Sequence, residues 1–247
     1  MTMPNPEEVP GAWAQRILVV MSHPDDAEYS SGGTIAKWVS EGKEVFYVLF
    51  TRGDKGSSDP DMTPDRLAKI REEEQLNAAK TLGVKDVTFL GYPDGGVEDT
   101  PEGRGKVVHM IRIHKPDIVV CMDPFRKYWQ HRDHRNTAIM AMDSVYPYAR
   151  DRLSYPEDEA QGIEPHKVGE VFVAGPDTPD AYVDISPFID KKIEALLCHK
   201  SQVGAQTKEE MREQLKRMSE RFSHLPEGYT AGATEAFRRI SYRQRGG

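Results

Sequence analysis

The chain has 247 residues, 38% of them hydrophobic, with 33 basic against 40 acidic side chains and a formal net charge of −7. That length supports the core of one large α/β domain, or of a domain with a small C-terminal appendage, and the acidic balance argues against nucleic acid or an anionic membrane surface as a partner. Two cysteines, Cys121 and Cys198, are too few for a disulfide framework. With no leader-like pattern in Met1–Gln15 and no apolar run of membrane length, the expectation is a cytoplasmic protein with no membrane partner.

Ile17–Met21 (ILVVM) is an unbroken apolar run, the pattern of a parallel strand buried on both faces. Ser22-His23-Pro24-Asp25-Asp26-Ala27-Glu28 follows directly. Pro24 stops the ladder, and a histidine with three carboxylates is costly to bury unpaired. The cluster is therefore displayed at the strand's carboxyl end, the edge where open α/β sheets bind ligands. Thr34–Glu41 reads as a short helix closed by Gly42, and Glu44–Phe50 as strand two, followed by a Gly/Asp loop over Thr51–Met62. Thr63 caps a long helix with Pro64 at its first position and Gly83 at its end. Asp86–Leu90 is strand three, Gly91–Asp99 a turn-rich loop, and Thr100-Pro101 opens a helix that ends before Pro116.

Asp117–Met122 is strand four, Asp123–His131 a loop and Asp133–Val145 a helix. Tyr146–Lys167 is loop-like but too long to be only a connector. Glu170–Ala174 and Asp180–Ile185 read as two more strands, and Ser186-Pro187 opens a helix to about Cys198. Thr207-Lys208-Glu209-Glu210 has capping-box spacing for a charged helix to about Phe222. Repeated βαβ units predict a doubly wound, Rossmann-like, mostly parallel sheet with helices on both faces. The expected organisation is one domain, with a catalytic core over about 16–202 and a helical extension over about 203–247.

A second constellation, Trp129-Gln130-His131-Arg132-Asp133-His134-Arg135, follows strand four. His131 and His134 share a face once the segment is helical. Strands one and four of a doubly wound sheet lie side by side at the switch point, which would bring the two His/Asp clusters together. Two histidines, a carboxylate and a water make a catalytic zinc site. Taken singly, the first cluster is also a turn with capping aspartates and the second a solvated helix start; their coincidence after apolar strands favours a site. The remaining histidines read as ordinary: His109 and His114 on a helix surface, His166 solvated in a loop, His199 and His224 near helix ends where a cation suits the dipole. Of these, His199 in Cys198-His199-Lys200-Ser201-Gln202 keeps a candidate role near the site. Gly32-Gly33 lacks the rest of a phosphate-binding motif, so close packing is the better reason for it.

At these residues the sequence resembles the PIG-L/LmbE family of zinc-dependent N-deacetylases, which act on N-acetylglucosamine-type sugars. The matching pieces are Ser22–Glu28 with Gly32-Gly33-Thr34, Thr51-Arg52-Gly53-Asp54, Arg71-Glu72-Glu73 with Leu82-Gly83-Val84, Leu90-Gly91-Tyr92-Pro93-Asp94-Gly95, and His131-Arg132-Asp133-His134. The last departs from the family's usual HPDH while keeping every chemically competent residue. The resemblance implies His23, Asp26 and His134 as ligands of Zn2+ or another divalent metal, and Asp25 as general base toward a zinc-bound water. It implies His131 as the oxyanion-stabilising group, with Asp133 orienting it and raising its pKa. Arg71 and Asp94 would be substrate-binding, and Tyr128 and Trp129 could stack on a sugar ring or form a core edge. For Arg71 the alternative is a pair with Glu73 or Glu74 on its own helix.

The implied reaction is hydrolysis of the N-acetyl group of a small-molecule acetamido sugar or conjugate, by an enzyme that could be a homo-oligomer. The chemistry agrees: zinc lowers the pKa of water from about 15.7 towards about 7, and a positioned base adds a factor of ~10²–10⁴. Two other functions fit parts of the pattern. A non-haem Fe(II) oxygenase would use His23, Asp25 and His134, against the α/β alternation. A non-catalytic, metal-containing sugar-binding protein would leave His131 and Asp133 without a role.

Overall fold

The structure is a computed structural model, and it describes residues 10–128, 130–220, 225 and 227–243. Among the described residues seven strands form one sheet: β1 (Arg16–Met21), β2 (Glu44–Thr51), β3 (Asp86–Tyr92), β4 (Ile118–Met122), β5 (Glu170–Ala174), β6 (Ala181–Asp184) and β7 (Thr234–Ser241). Their order is β3-β2-β1-β4-β5-β7-β6. The β3-β2-β1-β4-β5 neighbours are all parallel, whereas β7 runs antiparallel to both β5 and β6. The helices are α1 (Asp26–Ser40), α2 (Pro64–Leu82), α3 (Pro101–His114), α4 (Arg132–Val145), α5 (Glu157–Ala160), α6 (Ile189–Leu196), α7 (Lys200–Val203) and α8 (Lys208–Glu220). The expected doubly wound α/β sheet and helical C-terminal part are both present.

The strand period of two divides the interior. Ile17, Val19 and Met21 face a core shared with Ile35 and Trp38 of α1 and Ala78 and Leu82 of α2. Leu18 and Val20 face the opposite core, with Val108 and Ile111 of α3 and Ala138 and Ala141 of α4. Burial of β1 on both faces is why its sequence shows no alternation. The helix ends follow their punctuation. Thr63 accepts the Arg66 N–H, Pro64 takes the first turn, and Gly83 closes α2 in the left-handed region at φ 84°. Thr100 and Pro101 open α3 in the same way.

Three elements differ from expectation. Helix α1 begins at Asp26, two turns ahead of Thr34, so Gly32 and Gly33 lie inside it. They are there for space: a Cβ on Gly33 would sit 2.5 Å from Ile185 Cδ1. The 146–167 stretch is not an open loop. It wraps the buried Arg112 guanidinium, which donates to the carbonyls of Tyr148, Ala149, Asp151, Ser154 and Tyr155 and to the Asp158 carboxylate. Finally, the C-terminal part supplies β7, a strand that slots between β5 and β6. On it, Glu235 is buried and accepts the N–H groups of Gly33 at 2.9 Å and Thr34 at 2.7 Å, seating α1 on the sheet.

The peripheral histidines also find partners. His166 is half-buried, not solvated, with Nε2 2.7 Å from the Pro116 carbonyl. His109 pairs with Asp158 at 2.6 Å, and His114 packs on the Phe46 ring. The readings of Trp129, Phe222 and His224 fall outside the described residues. No helix among the described residues is long and apolar enough to cross a membrane.

Candidate active site

Strand order reverses between β1 and β4, so the loops following them face one another. The end of β1 is tied to α4 by a buried hydrogen bond from Ser22 Oγ to Thr137 Oγ1, 2.9 Å. The His23 N–H donates to Asp26 Oδ2 at 2.8 Å, closing the β1–α1 turn. His23 Nδ1 then lies 3.4 Å from Asp26 Oδ2 and 3.2 Å from His134 Nε2, while His134 Nε2 lies 3.0 Å from Asp26 Oδ1. Two imidazole nitrogens and one carboxylate, brought from 111 residues apart, converge on one locus. Their chemistry is the nitrogen and oxygen donor set that zinc accepts. His131 is adjacent, its ring nitrogen within 4.8 Å of those of His23 and His134.

The locus favours positive charge. Burial opposes protonation of His23, yet hydrogen bonds to Asp133, Asp26 and Asp94 push its pKa up to about 12. His134 is likewise raised, against burial, by Asp26. Asp26 is held well below the usual carboxylate range in spite of its burial, because both imidazoles face it.

Asp25 is placed differently from its neighbour. It sits in the left-handed region at φ 89°, unusual for a residue with a Cβ, and its Oδ2 is 3.7 Å from Arg71 Nη2. Burial and the adjacent Asp26 charge raise its carboxyl pKa to about 7, with Arg71 pulling the other way. Such a value suits a group that takes and returns a proton near neutral pH. Arg71 is 4% exposed and does not pair along its own helix. It donates to the Pro24 carbonyl at 2.8 Å and the Lys55 carbonyl at 3.1 Å, and lies 3.9 Å from Asp94 Oδ2. Gly53, at φ 68°, lets the β2–α2 loop pass, since a Cβ there would be 2.6 Å from the guanidinium. Asp94 Oδ1 reaches His23 Nε2 at 3.2 Å.

His131 and Asp133 are brought together in an unexpected way. The Asp133 carboxylate faces away from His131: it accepts the N–H groups of Gly95 at 2.7 Å and Val97 at 3.3 Å and contacts His23 Nε2 at 3.2 Å. Its own backbone N–H donates to His131 Nδ1 at 3.1 Å, making His131 the N-cap of α4. An accepting Nδ1 puts the ring hydrogen of neutral His131 on Nε2. The expected rise in the His131 pKa is corrected. Burial and the neighbouring His23 and His134 lower it, outweighing Asp133 and Asp94.

A buried shell behind Asp25 includes His199, the histidine kept as a candidate near the site, and Gln75, which the sequence reading did not single out. Gln75 Oε1 accepts the Asp25 N–H, Gln75 Nε2 donates to Glu28 Oε1, and Glu28 Oε2 is 3.4 Å from His199 Nε2. His199 is fully buried, and Glu28 raises its pKa against the effect of burial. Its partner is thus a carboxylate, not a helix dipole. The detectable signal was Gln75 itself, which with Arg71 and Glu74 makes a polar stretch on the face that α2 buries through Leu67, Ala68, Ala78, Ala79 and Leu82.

Residues 18–145 match the PIG-L family, described as GlcNAc-PI de-N-acetylase. The diacetylchitobiose deacetylase of Thermococcus kodakarensis is 34% identical over 188 residues, 76% of this chain and 70% of that protein. A probable N-acetyl-alpha-D-glucosaminyl L-malate deacetylase 2 of Bacillus anthracis is 29% identical over 204 residues, covering 81% of this chain and 86% of its own. Among solved structures, the N,N'-diacetylchitobiose deacetylase of Pyrococcus horikoshii superposes with a TM-score of 0.86 at 30% identity, over 94% of this chain and 86% of the other. The matched segment carries both His/Asp clusters, Arg71 and Asp94, and the chain belongs to the PIG-L family.

Proposed function

We propose that the protein is a metal-dependent amide hydrolase that removes the N-acetyl group from an N-acetylglucosamine-type sugar or sugar conjugate. The observation that carries this reading is the different placement of the adjacent aspartates. Asp26 faces the two imidazoles at 3.0 and 3.4 Å, while Asp25 faces Arg71. His23, Asp26 and His134 would hold Zn2+ or another divalent ion, which when bound supplies Lewis acidity and a more acidic water. An iron oxygenase would need Asp25 in the ligand set, whereas it is Asp26 that faces the two imidazoles.

The chain's own groups divide the remaining work. Asp25 takes a proton from the attacking water and returns it to the departing amine nitrogen. His131 donates from Nε2 to the amide oxygen as charge develops there, with Nδ1 fixed by the Asp133 N–H. Asp133 braces His23 and the loop over Gly95 and Val97. Arg71 of α2 and Asp94 of the β3–α3 loop, 3.9 Å apart, offer charged hydrogen-bonding partners to sugar hydroxyls. The test is free-amine release from a panel of N-acetylated sugars and N-acetyl amino acids, with and without added zinc. The expected outcome is zinc-stimulated release that favours sugars. Equal or greater release from the amino acids would reject the sugar acceptor.

A further inference from the structure

A cavity of about 450 Å3 opens beside the candidate metal ligands, with Asp26 and His134 at its edge. Its wall comes from parts of the chain that carry none of the catalytic candidates: Tyr182 of β6, Ile185, Leu215 and Met218 of α8, and Ala236 of β7, facing Tyr29 of α1. This lining is mainly apolar. The charged pair within it is already engaged: Lys192 Nζ donates to Glu235 Oε1 at 2.6 Å and to the Tyr29 carbonyl at 2.8 Å, and Glu235 also accepts from Gly33 and Thr34. Arg126 and Asp177 contribute one charge of each sign, with Asp177 accepting the Lys127 N–H. Asp25, Arg71 and Asp94 are not among the lining residues. The polar groups suited to a sugar therefore do not border the apolar space, which the candidate metal ligands Asp26 and His134 do.

We propose that this cavity is a substrate subsite for an apolar substituent, an alkyl or aryl group of roughly six to ten carbons carried by the amide-bearing sugar. The inference rests on the amide-hydrolase reading and specifies its substrate class. An acetyl methyl cannot fill a space of this size, and continuity with Asp26 and His134 places the occupant on the molecule being cleaved. The same chemistry could be carried in two positions, as the N-acyl chain or as the group on the anomeric oxygen. Each buried methylene favours binding by roughly fourfold, so even partial filling by an octyl group raises kcat/KM at least about tenfold.

The zinc-loaded protein is assayed for amine release from four compounds: N-acetylglucosamine, N-octanoylglucosamine, and the methyl and octyl glycosides of N-acetylglucosamine. An advantage of about tenfold or more for one eight-carbon compound over its short counterpart is expected, and the compound that shows it identifies the position. Ala236→Phe, which fills the cavity, and Met218→Glu, which charges its wall, should erase that advantage and leave the short substrates unchanged. Calorimetry on the same zinc-loaded protein uses products that cannot turn over: octyl against methyl glucosaminide, and octanoate against acetate. If no compound releases amine, the hydrolase reading falls. A calorimetric octyl preference lost in both variants would still uphold the subsite. Equal turnover and binding of long and short compounds overturns the proposal, as does a preference that survives both variants. So does a Met218→Glu protein with altered sedimentation and an intact octyl preference, which would mark the face as a contact between copies.

Discussion

Gln75 holds Asp25 from behind. Its Oε1 accepts the Asp25 N–H at 2.9 Å while its Nε2 is fixed on Glu28 at 3.0 Å. A residue with a Cβ at φ 89° carries a conformational cost of about 1–3 kcal/mol, so the surrounding contacts must over-determine that backbone. Gln75 does so without touching the carboxylate. It therefore acts on where Asp25 points.

Gln75→Leu keeps the volume and removes both hydrogen bonds. The Asp25 N–H and one Glu28 oxygen lose their partner, each at about 1–3 kcal/mol. The expected result is a lower melting temperature and a kcat reduced at least about tenfold, with KM and bound metal unchanged. Kinetics together with metal analysis check it; a rise in KM at constant kcat would show that Gln75 acts on binding and not on Asp25.

Asp25→Asn should lose activity by a factor of ~10²–10⁴ with the metal retained. The same change should stabilise the metal-free protein near neutral pH. Burial raises the Asp25 pKa to about 7, so between its ordinary value and 7 the native state binds a proton that the unfolded chain has released, and stability declines as pH rises through that window. Asparagine has no charge to lose and tolerates the left-handed backbone better than most residues. A melting temperature at pH 8 equal to or below that of the wild type would contradict this.

Arg71 opposes the upward shift of Asp25. Its removal in Arg71→Met should move the acidic limb of the pH–rate profile to higher pH, because a base must be deprotonated to act and its pKa rises without the guanidinium. A limb that stays in place would detach Arg71 from the base.

His134→Ala should strip the metal and leave the circular-dichroism spectrum intact, since His134 is partly exposed on the first turn of α4 and outside both main cores. Stoichiometric zinc in the purified variant would exclude the His23/Asp26/His134 set.

His131→Ala should keep the metal and lose on the order of 10²–10³ in turnover. The lowered pKa of His131 means that its neutral ring is the donor, so the variant's profile should retain its alkaline side. Disappearance of that side would restore an imidazolium role.

Much of this was readable in the chain because the decisive signals were short and local. The apolar run of β1 ended by His23-Pro24-Asp25, the caps Thr63-Pro64 and Gly83, and the spacing of His131 and His134 each report a physical constraint confined to a few residues. Pairing β1 with β4 then needed only the topology of a doubly wound sheet. What escaped depends on partners far away. The start of α1 was placed at Thr34 and not at Asp26; close packing was legible at Gly32-Gly33, but its partner Ile185, over 150 positions later, was not. Strand β7 (TEAFRRIS) has two arginines and an inward-facing glutamate, which mask its alternation; that glutamate is buried because α1 and Lys192 satisfy it. Asp133 was assigned to its sequence neighbour His131, but α4 aims its carboxylate at the β3–α3 loop instead.

The place of β7 sets an order on assembly during synthesis. Within the sheet β6 pairs with β7 alone, and β7 also covers the edge of β5. With about sixty residues still to be added after Ala174 before Thr234 emerges, that edge stays open for roughly 3–12 s at about 5–20 residues per second. Every candidate metal ligand has left the ribosome by then, yet α1 still lacks the Glu235 carboxylate that receives Gly33 and Thr34. A chain stopped short of β7 would present a bare, apolar strand edge, the kind of surface on which other nascent chains pair and aggregate.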